Sequence, residues 1–100
     1  MNDYEKYMAI NILFDAYAKY QGKCMDYLHN IQLKINECNN FNYKDPKMME
    51  DLTQKKANVE SELETISEDL KTLASERINT LSDIQTSIGG LTLNFKSLNY

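Results

Sequence analysis

Turn-forming residues are scarce in this chain: among 100 residues there are three glycines and one proline, and tryptophan is absent. Tight turns draw on residues that tolerate special backbone angles, so this composition excludes an all-β or a doubly wound α/β domain with its many connections. Few, long elements remain, and helices are the only long ones. Long apolar runs are also missing. The stretch from Met8 to Ala18 is interrupted by Asn11 and Asp15, which excludes a membrane span. The opening Met1-Asn2-Asp3-Tyr4-Glu5-Lys6 carries acids where a secretory signal has a basic segment, so no cleaved signal peptide is expected.

Chemistry-bearing residues are equally sparse. His29 is the single histidine, flanked by Leu28 and Asn30, and it reads as a solvated helix residue because a catalytic base needs an orienting partner and a nucleophile. No Cys/His cluster has metal-ligand spacing, and no glycine-rich loop is available to cradle a phosphate. The sequence therefore assigns no catalytic residue, no cofactor and no metal, and predicts a non-enzymatic protein. A basic stripe is lacking too. The lysines and Arg77 are scattered and the formal net charge is −4, so nucleic acid is not an expected partner.

What is present is helical periodicity. Apolar positions step by three and four along Tyr7, Ile10, Phe14, Tyr17, Gln21, Cys24, Leu28, Ile31, Ile35 and Cys38, a heptad seam with Gln21 as its polar member. Asn2 with Glu5 three residues later forms a capping-box pattern at its start. The run Asn39 to Asp45 has no helical period and reads as a loop, with Phe41 or Tyr43 folded back over the end of the seam. Asp45-Pro46 restarts the chain with a capping acid and a proline at the first helical position.

The second seam runs Met49, Leu52, Lys56, Val59, Leu63, Ile66, Leu70 and Leu73. Beyond it, Arg77 occupies the next expected position while Ile78, Leu81, Ile84 and Ile88 resume the apolar pattern, which predicts a phase slip after Leu73. Gly89-Gly90 is expected to end the helix through a left-handed C-terminal conformation. The predicted boundaries are helix 1 at 3–38, loop 39–45, helix 2 at 46–88 and tail 89–100, all one domain. The fold class is all-α: an antiparallel two-helix coiled-coil hairpin with a short C-terminal tail, completed into a bundle by another chain. Within the tail, Leu91, Leu93 and Phe95 alternate like a strand, whereas Ile88, Leu91, Phe95 and Leu98 fit a helical spacing, and periodicity admits both.

Two cysteines, Cys24 and Cys38, lie 14 residues apart on one seam, so on an intact helix they are too distant to bond each other. They read as small apolar seam residues in a reducing compartment, with an interchain bridge as the alternative.

Helix 1 is apolar over more than its seam. Leu13, Tyr20 and Tyr27 repeat at heptad spacing beside it, and Ile12 and Ala16 widen the N-terminal half. A wider apolar face asks for a third or fourth helix from another chain. The candidate partner-binding residues are Leu13, Tyr17, Tyr20, Tyr27, Leu28, Ile31, Leu91, Leu93 and Phe95. The expected partner is a protein or a second copy, in a homodimer or heterodimer through helical seams, with no membrane insertion. Glu60, Glu62, Glu64, Glu68 and Asp69 form an acidic stretch without a base, read as a solvated face or as a steering patch for a basic partner.

Asp45-Pro46-Lys47-Met48-Met49-Glu50-Asp51-Leu52 is similar to the proline-containing turn that opens the second helix of needle subunits in bacterial type III secretion systems. Leu73-Ala74-Ser75-Glu76-Arg77 and Ser87-Ile88-Gly89-Gly90-Leu91 resemble the C-terminal coiled-coil helix of the extracellular filament subunits. The resemblance implies a small acidic secretion-system chaperone or adaptor, or alternatively an exported needle- or filament-like subunit that polymerises. A phage or viral inhibitor docking its acidic face on a host protein is the further alternative. Cytoplasmic residence is expected for the first, and export without a cleaved signal for the second.

Overall fold

The computed structural model describes the backbone of residues 2–40 and 45–99, and the side chains of residues 2–40 and 45–89. Two helices account for it: α1, Asp3–Asn40, of 38 residues, and α2, Pro46–Asn99, of 54 residues. Asn2 caps α1, its side-chain carbonyl accepting the Glu5 N–H at 2.8 Å while its amide donates back to Glu5 Oε1 at 3.3 Å. Asp45 caps α2 in the same way, one carboxylate oxygen accepting the N–H groups of Lys47 at 3.1 Å and Met48 at 3.3 Å. Pro46 follows at the first helical position, where its missing N–H removes no bond.

The two helices form the all-α hairpin, with the boundaries shifted from the sequence expectation. Asn39 and Asn40 belong to α1 and not to the loop. The suggested fold-back of Phe41 or Tyr43 lies outside the described residues. The larger difference is at the C-terminus, where the helix does not stop at Gly89-Gly90 but continues to Asn99. Gly89 keeps a right-handed helical backbone with open space around it. A glycine weakens a helix by about 1 kcal/mol relative to alanine, which lowers its stability without forcing an end. Of the two periods that the tail sequence admits, the backbone takes the helical one.

The chain divides into two compact units, Tyr17–Asp69 and Met1–Ala16 with Leu70–Tyr100. In Tyr17–Asp69 the seam is as the spacing predicts: Cys24, Ile31, Cys38, Leu52, Val59 and Ile66 are buried, and Leu28, Ile35, Met49 and Leu63 are half-buried. Tyr20 meets Glu62 and Tyr27 lies near Lys55, so numbers rise along one helix as they fall along the other: the pair is antiparallel. Both cysteines are free thiols inside this seam.

In the other unit Ile10 and Leu73 are buried, but the expected phase slip is absent. Arg77 and Ile84 are half-buried, and Thr80 is 2% exposed, so the steps from Leu73 are four, three and four. This is an unbroken heptad phase. Ile78, 67% exposed, and Leu81, also exposed, stand outside it. Two local arrangements let polar residues hold the seam. The Arg77 guanidinium lies over the Phe14 ring, 4.3 Å from its centroid, with its aliphatic stem available for packing. Thr80 donates its hydroxyl to the Glu76 carbonyl at 2.7 Å, so its polar atom is satisfied within the helix and a β-branched, nearly apolar surface remains.

Candidate interaction surface

Writing the heptad as abcdefg with seam residues at a and d assigns every other residue to a flank. In an antiparallel pair the e positions of both helices line one side of the seam and the g positions line the other, with b and c outside them. The pair Tyr20–Glu62 is a g–g contact and Lys55, near Tyr27, is another g residue, which fixes the g flank of Tyr17–Asp69. The opposite, e flank of that unit is an open groove in which Met25, Leu28 and Leu63 form an apolar floor. His29, Gln32, Lys56 and Glu60 rim it. Lys56 approaches Glu60 at 4.0 Å, a weak, solvent-exposed pair.

The residues singled out in the sequence distribute unevenly over this frame. Leu13, Tyr20 and Tyr27 are exposed at successive g positions, as an accessible face requires. Tyr17 and Leu28 are half-buried seam residues. Ile31 is only 3% exposed, because it packs in the hairpin's own seam, and it offers no surface to a partner while the hairpin is closed. The backbone at Leu91, Leu93 and Phe95 is helical, and their side chains lie outside the described residues.

Sequence periodicity assigned one exposed apolar stripe to the seam. In the unit of Met1–Ala16 with Leu70–Tyr100, Tyr4 and Met8 of α1 and Ile78, Leu81 and Ile88 of α2 all occupy e or b positions and all are exposed. Ile78, Leu81 and Ile88 belong to the series that reads as a shifted seam in the sequence. The signal that could have separated them was Arg77 and Thr80, which keep the original phase and so push the isoleucines and leucine outward.

Electrostatics add a local feature to the g flank. The Tyr20 hydroxyl donates to Glu62, and that bond, with further contributions from Cys24, pushes the phenol up to about 12. Lys55 bonds Asp51 at 3.0 Å, which raises its pKa above the ordinary lysine value. Glu60, Glu62, Glu64 and Glu68 are exposed and Asp69 is half-buried, so most of the acidic stretch is at the surface.

No protein-family model, curated protein or solved structure matches this chain. Among the described residues no group of three or more His, Cys, Asp or Glu side chains is placed to hold a metal ion, and no helix is long and apolar enough to cross a membrane. The described residues present three surfaces: an apolar flank of two helices, an apolar groove, and a flank of tyrosines beside charges.

Proposed function

We propose that this protein is a non-enzymatic interaction module that acts by coiled-coil association, taking up an apolar face of a partner helix on its e flank as a small acidic secretion-system chaperone or adaptor. The observation that carries the reading is the cluster Tyr4, Met8, Ile78, Leu81 and Ile88, large apolar side chains left exposed on one side of a pair whose seam holds Arg77 and Thr80 instead. Exposed apolar surface of this extent on two adjacent helices is characteristic of a binding face, and a third helix laid along it completes a bundle. The groove floored by Met25, Leu28 and Leu63 offers a further apolar site on the e flank of the other unit. The chaperone reading itself comes from the resemblance of the Asp45–Leu52 turn and the C-terminal helix to secretion-system hairpins.

The test is purification from the native host of the unmodified chain and of a variant carrying Ile78→Lys and Leu81→Lys. Both substitutions lie outside the seam, so helicity and melting should be retained. The expected outcome is a helical client that co-purifies with the unmodified chain and is lost from the variant. Equal client recovery by both proteins would remove the e flank as the binding surface.

The continuation of α2 through the glycine pair to Asn99 favours a second reading, a structural subunit that polymerises through its C-terminal helix. Light scattering over a concentration series separates the two. A subunit forms polymers that need residues 91–100, and a chaperone forms none.

A further inference from the structure

Past Thr80 the apolar positions of α2 turn away from the d side of the hairpin seam. The d positions Thr80, Ser87 and Asn94 are polar, whereas Ile84, Leu91 and Leu98 hold a and Leu81, Ile88 and Phe95 hold e. The six apolar positions step by three, four, three, four and three along one helical backbone, which is the spacing of a coiled-coil seam. Of those whose side chains are described, Ile84 is half-buried, and Leu81 and Ile88 are exposed. The stripe also outruns the hairpin. Arg77 lies over Phe14, α1 starts 11 residues before Phe14, and α2 ends 22 residues after Arg77. About 11 residues of α2, from Gly89 on, therefore extend past the start of α1, a length of roughly 16 Å. The Asn2 cap ends α1 at that level. A helical segment this short, opening on a glycine pair, does not sustain itself in water, because nucleation is costly and glycine weakens a helix. Its helical course to Asn99 calls for a seam partner.

We infer that residues 81–98 form a second coiled-coil seam whose occupant is the same segment of a second copy, running antiparallel about a two-fold axis at the level of Gly89 and Gly90. The spacing reads the same from either end. Antiparallel pairing thus sets position 81 against 98, 84 against 95 and 88 against 91, so every apolar position finds an apolar counterpart, as a self-complementary contact requires. The flanks of the stripe are neutral as well. Gln85 and Thr92 hold its b side, and Ser87 and Asn94 its d side. Asp83 and Lys96, the two charges between 81 and 99, stand further out, and Leu93 falls on the outer side of the helix. Flank charges set partner choice in coiled coils, so a neutral flank meets no repulsion from its own copy.

The direction is continuous with the interface already present. Helix α1 runs antiparallel to α2 in the hairpin, and the helix of the second copy takes up the same course where α1 begins. A pair closed by a dyad leaves no open end, so assembly stops at two chains. The inference rests on the reading that the hairpin works by helical association, and it adds a second seam and names its occupant. Leu81 and Ile88 are common to this seam and to the e-flank surface, so the variants that test it leave both residues intact.

The test is sedimentation equilibrium on the full chain, with circular dichroism to show that the hairpin of each variant stays helical. The unmodified chain is expected to form a reversible dimer and nothing larger. Leu91→Asp should weaken that dimer at least about tenfold, because the charge enters the seam twice. Direction is read from two flank variants at low salt. Across an antiparallel pair, position 85 faces position 92 of the second copy, twice over. Gln85→Lys with Thr92→Lys should therefore dimerise at least about fivefold more weakly than Gln85→Lys with Thr92→Glu, and high salt should close the gap. Because both flank variants keep the apolar stripe, their comparison does not depend on how Leu91→Asp folds. A chain that is monomeric at every concentration would overturn the inference, as would polymers larger than a dimer, a dimer indifferent to Leu91→Asp, or flank variants of equal affinity. None of these results touches the e-flank reading, which fails only if the Ile78→Lys, Leu81→Lys variant keeps its client.

Discussion

The two compact units use one heptad seam in opposite ways. Within Tyr17–Asp69 the seam is apolar, with Cys24, Ile31, Cys38, Leu52, Val59 and Ile66 buried and only Gln21 and Lys56 as polar seam members, while Tyr20, Met25, Tyr27, Leu33 and Met48 stand exposed outside it. Within the unit of Met1–Ala16 and Leu70–Tyr100, Ile10 and Leu73 are the buried apolar residues among those whose side chains are described, while Tyr4, Met8, Ile12, Leu13, Ile78, Leu81 and Ile88 are exposed. The first pattern is that of a segment that stabilises itself. The second is that of a segment that leaves large apolar side chains on its surface, the feature on which the proposed association rests. The buried residues and the exposed apolar ones fall on different faces of the same helices, so the fold and the proposed binding face can be altered separately.

The sharpest way to break this comparison is to damage the inward-built unit. Ile31→Ala should destabilise the hairpin by about 2–4 kcal/mol, read by urea denaturation followed by circular dichroism, because it removes buried volume from a two-layer core with few neighbours to collapse into the space. Ile31→Asp should leave no cooperative transition at all, since a charge in a dry seam has no partner. If Ile31→Ala melted like the unmodified chain, the seam of Tyr17–Asp69 would not be the stabilising element.

A smaller effect sharpens the account of the other unit. Thr80→Val keeps the shape of the side chain and removes a hydroxyl that bonds a carbonyl of its own helix, so it should stabilise by roughly 0.5–1 kcal/mol. Ile78→Ser, on the outer face, should change stability by no more than about 0.5 kcal/mol. The reverse order, a costly Ile78→Ser and a harmful Thr80→Val, would restore the phase slip that the sequence spacing suggests.

The smallest effect concerns the g flank and alkaline pH. Tyr20 in the folded chain is pushed up to about 12 by its bond to Glu62, against an ordinary 10.0. The protonated phenol is the donor, so its contribution to stability is fully present below about pH 10 and is lost as pH rises through the folded value near 12. Ultraviolet titration of the unmodified chain against Tyr20→Phe should show the difference as one phenol ionising late. A difference spectrum centred at pH 10 would remove the Tyr20–Glu62 bond from the account.

Much of this architecture was legible in the residues. Asn2 with Glu5 and Asp45 with Pro46 mark both helix starts through capping chemistry that depends on neighbours two or three positions away, and the structure places both caps there. The seam through Cys38 and through Leu73 was legible for a similar reason, since an uninterrupted step of three and four admits one face only. The outward face of Leu13, Tyr20 and Tyr27 follows from the same spacing. Beyond Leu73 two stripes compete, one carried by Arg77, Thr80 and Ile84 and one by Ile78, Leu81 and Ile88, and hydrophobicity alone favours the wrong one. The same limit explains Ile31, which spacing marks as apolar without saying whether its own partner helix or another chain covers it.

By itself, then, the sequence determined that this chain makes two long helices, where each begins, and that they fold back on one another through a heptad seam, because propensity, capping and periodicity act between residues near in the chain. Only the tertiary structure decided which stripe of the 70–88 segment faces inward. The Phe14 ring lies across from Arg77 and accepts its guanidinium, and Thr80 satisfies its hydroxyl within its own helix, so a polar seam closes at little cost and the bulky side chains stay outside. Helix α2 likewise passes Gly89 and reaches Asn99, because a glycine lowers helix stability without setting its end. Periodicity gives the phase of a stripe, and the residues on the facing helix decide which stripe is buried.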